Sequence, residues 1–134
     1  MLPQKIVVRY ADGKVLKGTT RNFNPQASNF ALVPADAPPN EKGIAVEVAS
    51  LKAVFFVRDF TGDPAKKDRE GFVPGGPYRG HRVEVLFKDG ERLPGYTPNY
   101  DRSLTGFFVF PADPASNTIK AFVVTQSIQD VRVL

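Results

Sequence analysis

The 134-residue chain contains no cysteine and no tryptophan, with a single histidine and a single methionine. Without cysteine there is no disulfide and no thiolate metal site, which permits a reducing compartment. With one imidazole in the whole chain, His81, most acid–base and nucleophilic catalysis loses its usual carriers. No apolar run approaches the ~18 residues of a membrane helix, and residues 1–20 lack the pattern of a secretory leader. No HExxH, GxSxG, Walker A or GxGxxG string occurs. Asp59, Asp63 and Asp68 have a spacing unsuited to a calcium loop, and two lysines lie between the last two. These observations predict a non-enzymatic cytoplasmic protein without cofactor or metal.

The formal charge is +4, but it is dispersed. Residues 1–57 carry seven Lys/Arg against four Asp/Glu, residues 58–81 five against four, and residues 82–134 six against six. So even a spread disfavours a dedicated nucleic-acid groove.

What the chain does contain is a repeat. Shifted by 77 residues, Ile6–Val57 registers without a gap on Val83–Leu134, and 15 of the 52 pairs are identical. The identities include Asp12/Asp89, Gly13/Gly90, Gly18/Gly95, Asn22/Asn99, Phe30/Phe107 and the run Pro34-Ala35-Asp36 against Pro111-Ala112-Asp113. An ungapped register that keeps Gly, Pro and Asp-Gly in place reads as an internal duplication.

Each unit reads as five short strands. Ile6, Val8 and Tyr10 alternate with Val7 and Arg9, and Val83, Val85 and Phe87 repeat the pattern. Asp12-Gly13 and Asp89-Gly90 predict two-residue hairpin loops. A second strand covers 16–23, with Gly18 and Gly95 marking a bend, and Pro94 and Pro98 place part of its counterpart on an edge. The third strands, 30–33 and 107–110, stop at Pro34 and Pro111; the fourth cover 44–48 and 121–125, the fifth 53–57 and 130–134. The expected fold is all-β: two tandem five-stranded SH3-like or Sm-like small barrels, at 5–57 and 82–134, packed together. Residues 58–81 form a charged Gly/Pro-rich linker whose apolar residues are Phe60, Phe72 and Tyr78.

The opening of each unit resembles the first motif of the Sm family: alternating apolar residues, Asp-Gly, a Gly five residues later, then a polar loop and an apolar strand. Asp101 follows Gly95 by six residues, as the family's aspartate follows its glycine, whereas the first unit has Asn24 there. The family's Arg-Gly pair before the last strand is replaced by Ala49-Ser50 and Gln126-Ser127, so its RNA site does not carry over. The repeat also resembles a bacterial family of tandem small β-barrel domains with an FFVRDF-type end to the first unit and a GFFxFPAD segment in the second. Separately, Asp101-Arg102-Ser103-Leu104-Thr105-Gly106 resembles the D/N-x-S-x-x-G half of the PilZ signature. That resemblance implies cyclic di-GMP as ligand, read by Asp101, Ser103 and Gly106, with Arg79 and Arg82 as the nearest stand-ins for the missing RxxxR.

The positions where the units differ predict contact surfaces. The last strand carries Ala53 and Phe55 in unit one but Asp130 and Arg132 in unit two. Strands three and four reverse the bias: Phe108, Phe110, Phe122 and Val124 stand against Ala31, Val33, Ala45 and Glu47. Apolar excess at different strands of each unit suits an asymmetric interface at Phe55, Phe108, Phe110, Phe122 and Val124. The expected function is a non-catalytic binding or scaffold module that contacts another protein or a second copy of itself as a homodimer. The alternatives are a PilZ-like cyclic di-GMP regulator and a weak single-stranded RNA binder stacking bases on Tyr96, Tyr100, Phe108 and Phe110.

Overall fold

The computed structural model describes residues 3–38, 42–60, 80–98, 100–101 and 103–134. The first half holds β1 (Gln4–Tyr10), β2 (Val15–Thr20), β3 (Asn29–Pro34), β4 (Ile44–Glu47) and β5 (Leu51–Val57). The second holds β6 (His81–Phe87), β7 (Arg92–Thr97), β8 (Gly106–Pro111), β9 (Thr118–Val124) and β10 (Ile128–Val133). One 3-10 turn, Val48–Ser50 or Thr125–Ser127, leads into the last strand of each half. No helix among the described residues is long and apolar enough to cross a membrane.

All ten strands form one antiparallel sheet in the order β10-β6-β7-β8-β9-β5-β1-β2-β3-β4. Within each half the order is the same, and the ladders keep one register: Ile6↔Gly18 recurs as Val83↔Gly95, and Gly18↔Pro34 as Gly95↔Pro111. The fold is all-β, as expected, but its strands form a single open sheet in place of two separate packed barrels, and among the described residues no strand pairs with the outer edge of β4 or of β10. The pairing that joins the halves is β5 with β9, in the register Ala53↔Val123, Val54↔Phe122 and Phe55↔Ala121. Its physical reason lies in β5, LKAVFFV, which apart from Lys52 is apolar on both faces and is buried at all but one position. Such a strand needs cover on both sides and a partner along both edges. β1 and β9 supply the partners.

Two hydrophobic clusters straddle the join. The first gathers Ile6, Val8, Leu32, Val54 and Phe56 with Phe122 and Val124 from the second half. The second gathers Val83, Val85, Phe87, Val109 and Val123 with Ala53 from the first half. Each half therefore lends side chains to the other's core.

Local details also depart from the sequence reading. The Asp-Gly hairpins are three-residue loops: Gly13 N–H donates to the Tyr10 carbonyl, Tyr10 N–H to the Lys14 carbonyl, and Gly90 and Phe87 repeat both bonds. Gly13 and Gly90 carry the positive φ, 98° and 94°, that this loop requires. β7 is interior rather than an edge. Pro94 is accommodated because the described ladder to β8 has only two pairs, Gly95↔Pro111 and Tyr96↔Phe110. Gly18 and Gly95 mark close approach: a Cβ there would meet the carbonyl oxygen of Val33 or Phe110.

Candidate functional site

Because side chains alternate along a strand, the faces of β1 and β5 that do not build the first core look the other way. Ile6 and Val8 fill that core, so Val7 and Arg9 emerge on the reverse face. Phe55 and Val57 do the same on β5. With β7, the end of β8 and the start of β9, they enclose a cleft of about 800 Å³ between the two halves. Its apolar surface comes from Val7, Phe55, Val57, Leu93 and Pro94, and its charged groups are Arg9, Lys17 and Arg92 with Glu84, Glu91 and Asp113.

Several of these groups are already held. Arg92 is paired with Glu84 at 2.7 Å. Lys17 Nζ donates to the Phe60 carbonyl at 3.0 Å, while Lys5 Nζ lies 5.9 Å from the Phe60 ring. The preceding residue is anchored too: Asp59 N–H donates to Asn117 Oδ1 at 3.1 Å, and Asn117 Nδ2 returns a bond to the Asp59 carbonyl at 2.8 Å. Arg9 instead lies over Phe55, its guanidinium carbon 5.9 Å from the ring centroid. A planar cation on an aromatic face presents its in-plane donors outward, a geometry suited to carboxylates.

Beside the cleft, Lys52 clamps the halves together. Its Nζ lies 2.7 Å from Asp89 Oδ2 and 2.5 Å from Glu91 Oε1, and 4.7 Å from the Phe87 ring. The lysine side chain is only 10% exposed, whereas both carboxylates are about half exposed, at 54% and 53%. The hydrogen bond from Lys52, followed by that from the Glu91 N–H, holds the Asp89 carboxyl below the ordinary aspartate range, against a smaller opposing effect of burial. A depressed folded-state pKa stabilises the fold above the ordinary aspartate value of ~3.9 and loses that contribution as pH falls through the folded value. Lys52→Met should raise the Asp89 titration midpoint toward the ordinary value in a carboxyl-carbon NMR titration. It should also flatten stability against pH in that acid window, by less than about 1 kcal/mol because Asp89 is half exposed. An unmoved midpoint would count against the clamp.

The residues singled out from the sequence are scattered. Four of the five interface residues sit at the join: Phe122 and Val124 are buried in the first cluster, Phe108 packs against it, and Phe55 packs against the second. Phe110 is half-buried on β8. Of the cyclic di-GMP residues, Arg79 lies outside the described residues, and Arg82 is exposed on β6 opposite Tyr96. Asp101 and Ser103 bind each other: the Ser103 N–H and Oγ both donate to Asp101 Oδ1, at 2.9 and 2.6 Å. These two bonds hold the Asp101 carboxyl below its ordinary range. Gly106 permits close approach of β8 to β9, since a Cβ there would meet the Val123 carbonyl oxygen and the Phe122 ring. Among the proposed stacking residues, Tyr96 is buried and Tyr100 packs edge-on against Phe107 at 5.4 Å. His81 is exposed at the start of β6, opposite Thr97. Among the described residues, no three of His, Cys, Asp and Glu gather into a metal-holding group.

Neither the cleft nor the clamp follows from local sequence pattern. Arg9 and Val7 look like an ordinary outward-facing strand register. A signal for the clamp was nevertheless present in the repeat: Lys52 stands where the second unit has Gln129, and Glu91 where the first has Lys14. Both charge changes fall where the first half meets the second.

The chain belongs to a family of unknown function, DUF6982, whose model matches residues 2–134. No curated protein and no solved structure matches it.

Proposed function

We propose that the protein is a non-catalytic binding module for another protein, and that the cleft between its halves receives an extended segment of that partner. The observation that carries this reading is the Arg9 guanidinium, 5.9 Å over the Phe55 ring, on the lining of a cleft of about 800 Å³. A volume of this size, lined by apolar side chains and by charges of both signs, lies in the range that encloses a ligand of several residues' side chains. Arg9 would take a carboxylate of the segment, and Phe55 with Leu93 an adjacent apolar side chain. A duplicated small-barrel ancestor belongs to the same reading, supported by the shared strand order and the 77-residue register of both ladders.

The test is selection of displayed random peptides on the immobilised full chain, followed by titration of the selected peptides against two variants. Arg9→Glu should weaken binding by at least about tenfold, equivalent to ~1.4 kcal/mol. Lys88→Glu, at an exposed position outside the cleft lining, should leave it unchanged. Peptides indifferent to Arg9→Glu would locate binding elsewhere and remove the cleft from the account.

A further inference from the structure

The join between the halves defines what a second copy would have to do. β5 pairs with β9, the fourth strand of the second half, and the strands left at the free edges are β4 and β10. These are the 77-residue equivalents of β9 and β5. The sheet could therefore extend head to tail, with β10 of one copy on β4 of the next, in the register that β5 and β9 already use. Ala53↔Val123 would become Asp130↔Val46, and Phe55↔Ala121 would become Arg132↔Ile44. Among the described residues neither edge has a strand partner, and both carry some apolar surface, since Ile44 and Val133 are among the exposed large hydrophobic residues.

The side chains at the two edges oppose this extension. Ala53 and Val124 are both fully buried at the existing join, at 0% exposure. Their equivalents at the free edges are Asp130 and Glu47, both exposed carboxylates. A β10–β4 join would place each where its counterpart is sealed from water, Asp130 on one face of the sheet and Glu47 on the other. A carboxylate desolvated without a partner is strongly unfavourable. The remaining differences point the same way. Arg132 replaces Phe55, and Ala45 and Ala31 replace Phe122 and Phe108, so the large side chains that fill the existing join are missing from the potential one.

We infer that Asp130 and Glu47 are assembly blocks: one carboxylate on each free edge stops the sheet at two units and prevents a second copy from docking edge to edge. A charged side chain on an edge strand is a recognised means of keeping a sheet from propagating. The inference is independent of the cleft.

The test converts each edge separately to the composition of the existing join. One variant carries Ala45→Phe and Glu47→Val, the other Asp130→Ala and Arg132→Phe. In sedimentation equilibrium at about 100 µM, the wild-type chain and each variant alone should remain monomeric. An equimolar mixture of the two variants should form a one-to-one dimer at least about tenfold tighter than any self-association of the wild type. Should either variant fail to fold by circular dichroism, the mixture of Glu47→Gln with Asp130→Asn removes the charges at nearly constant volume and should shift in the same direction. A mixture no more associated than the wild type would overturn the inference, as would a wild-type chain that already dimerises through β4 and β10.

Discussion

Replacing Phe122 with alanine is expected to lower stability by about 3–5 kcal/mol, the usual cost of emptying a buried aromatic site. The side chain is 1% exposed and belongs to β9, yet it packs in the first half's core beside Ile6, Val54 and Phe56. Its ring stands edge-on to Phe23 at 5.2 Å and to Phe108 at 5.2 Å. Phe23 in turn meets Phe30 at 5.1 Å and Phe56 at 5.3 Å, so removing Phe122 opens a cluster of interlocked rings. Lys120 covers the same cluster from above, its Nζ 4.9 Å from the Phe56 ring and 4.8 Å from that of Phe108. Because the lost contacts belong to both halves, denaturation followed by tyrosine fluorescence and by far-ultraviolet dichroism should show one coincident transition shifted to lower denaturant. Two transitions, only the second of them shifted, would mean that the halves fold separately.

Gly18→Ala and Gly95→Ala should each cost about 3 kcal/mol or more, at the upper end of overpacking effects. The added methyl at Gly18 would drive into the Val33 carbonyl and come within 2.9 Å of Leu32 Cδ2. At Gly95 it would meet the Phe110 carbonyl and lie 2.6 Å from Val109 Cγ1. In both cases the obstacle includes neighbouring backbone, which yields only if β2 parts from β3, or β7 from β8. Gly13→Ala makes the contrast: nothing lies within 4 Å of its Cβ position, and only the φ of +98° opposes the change. Its cost should be about 1 kcal/mol. Urea melts of the three variants check the order, and equal losses at Gly13 and Gly18 would contradict the close-approach argument.

Much of the strand content could be read from local pattern. Alternation at Ile6, Val8 and Tyr10, the Asp-Gly pairs, and the prolines closing β3 and β8 all act over a few residues, and the strands fall close to where these signals place them. The join was harder, because β5 and β9 are far apart in sequence and no turn sets their register. Comparing Ala53 with Asp130 and Ala45 with Phe122 showed which faces differ, but composition says nothing about which backbone edge is paired. A unit of about 53 residues with five strands is equally compatible with closure on itself and with a share in a longer sheet. The deciding feature is the double-sided burial of β5, set against the exposed face of β10. The cleft is a product of that join. Arg9, Phe55 and Leu93 come from three strands and meet only once the two halves share a sheet.

The most direct measurement is the pattern of cross-strand nuclear Overhauser effects of β5. The account predicts contacts linking Ala53 to Val123 and Phe55 to Ala121, continuous with those linking Val54 to Val8 on the other edge. Contacts from β5 to Ile44–Glu47 in their place, matched by contacts from β10 to β9, would show two self-closed barrels and contradict the shared sheet.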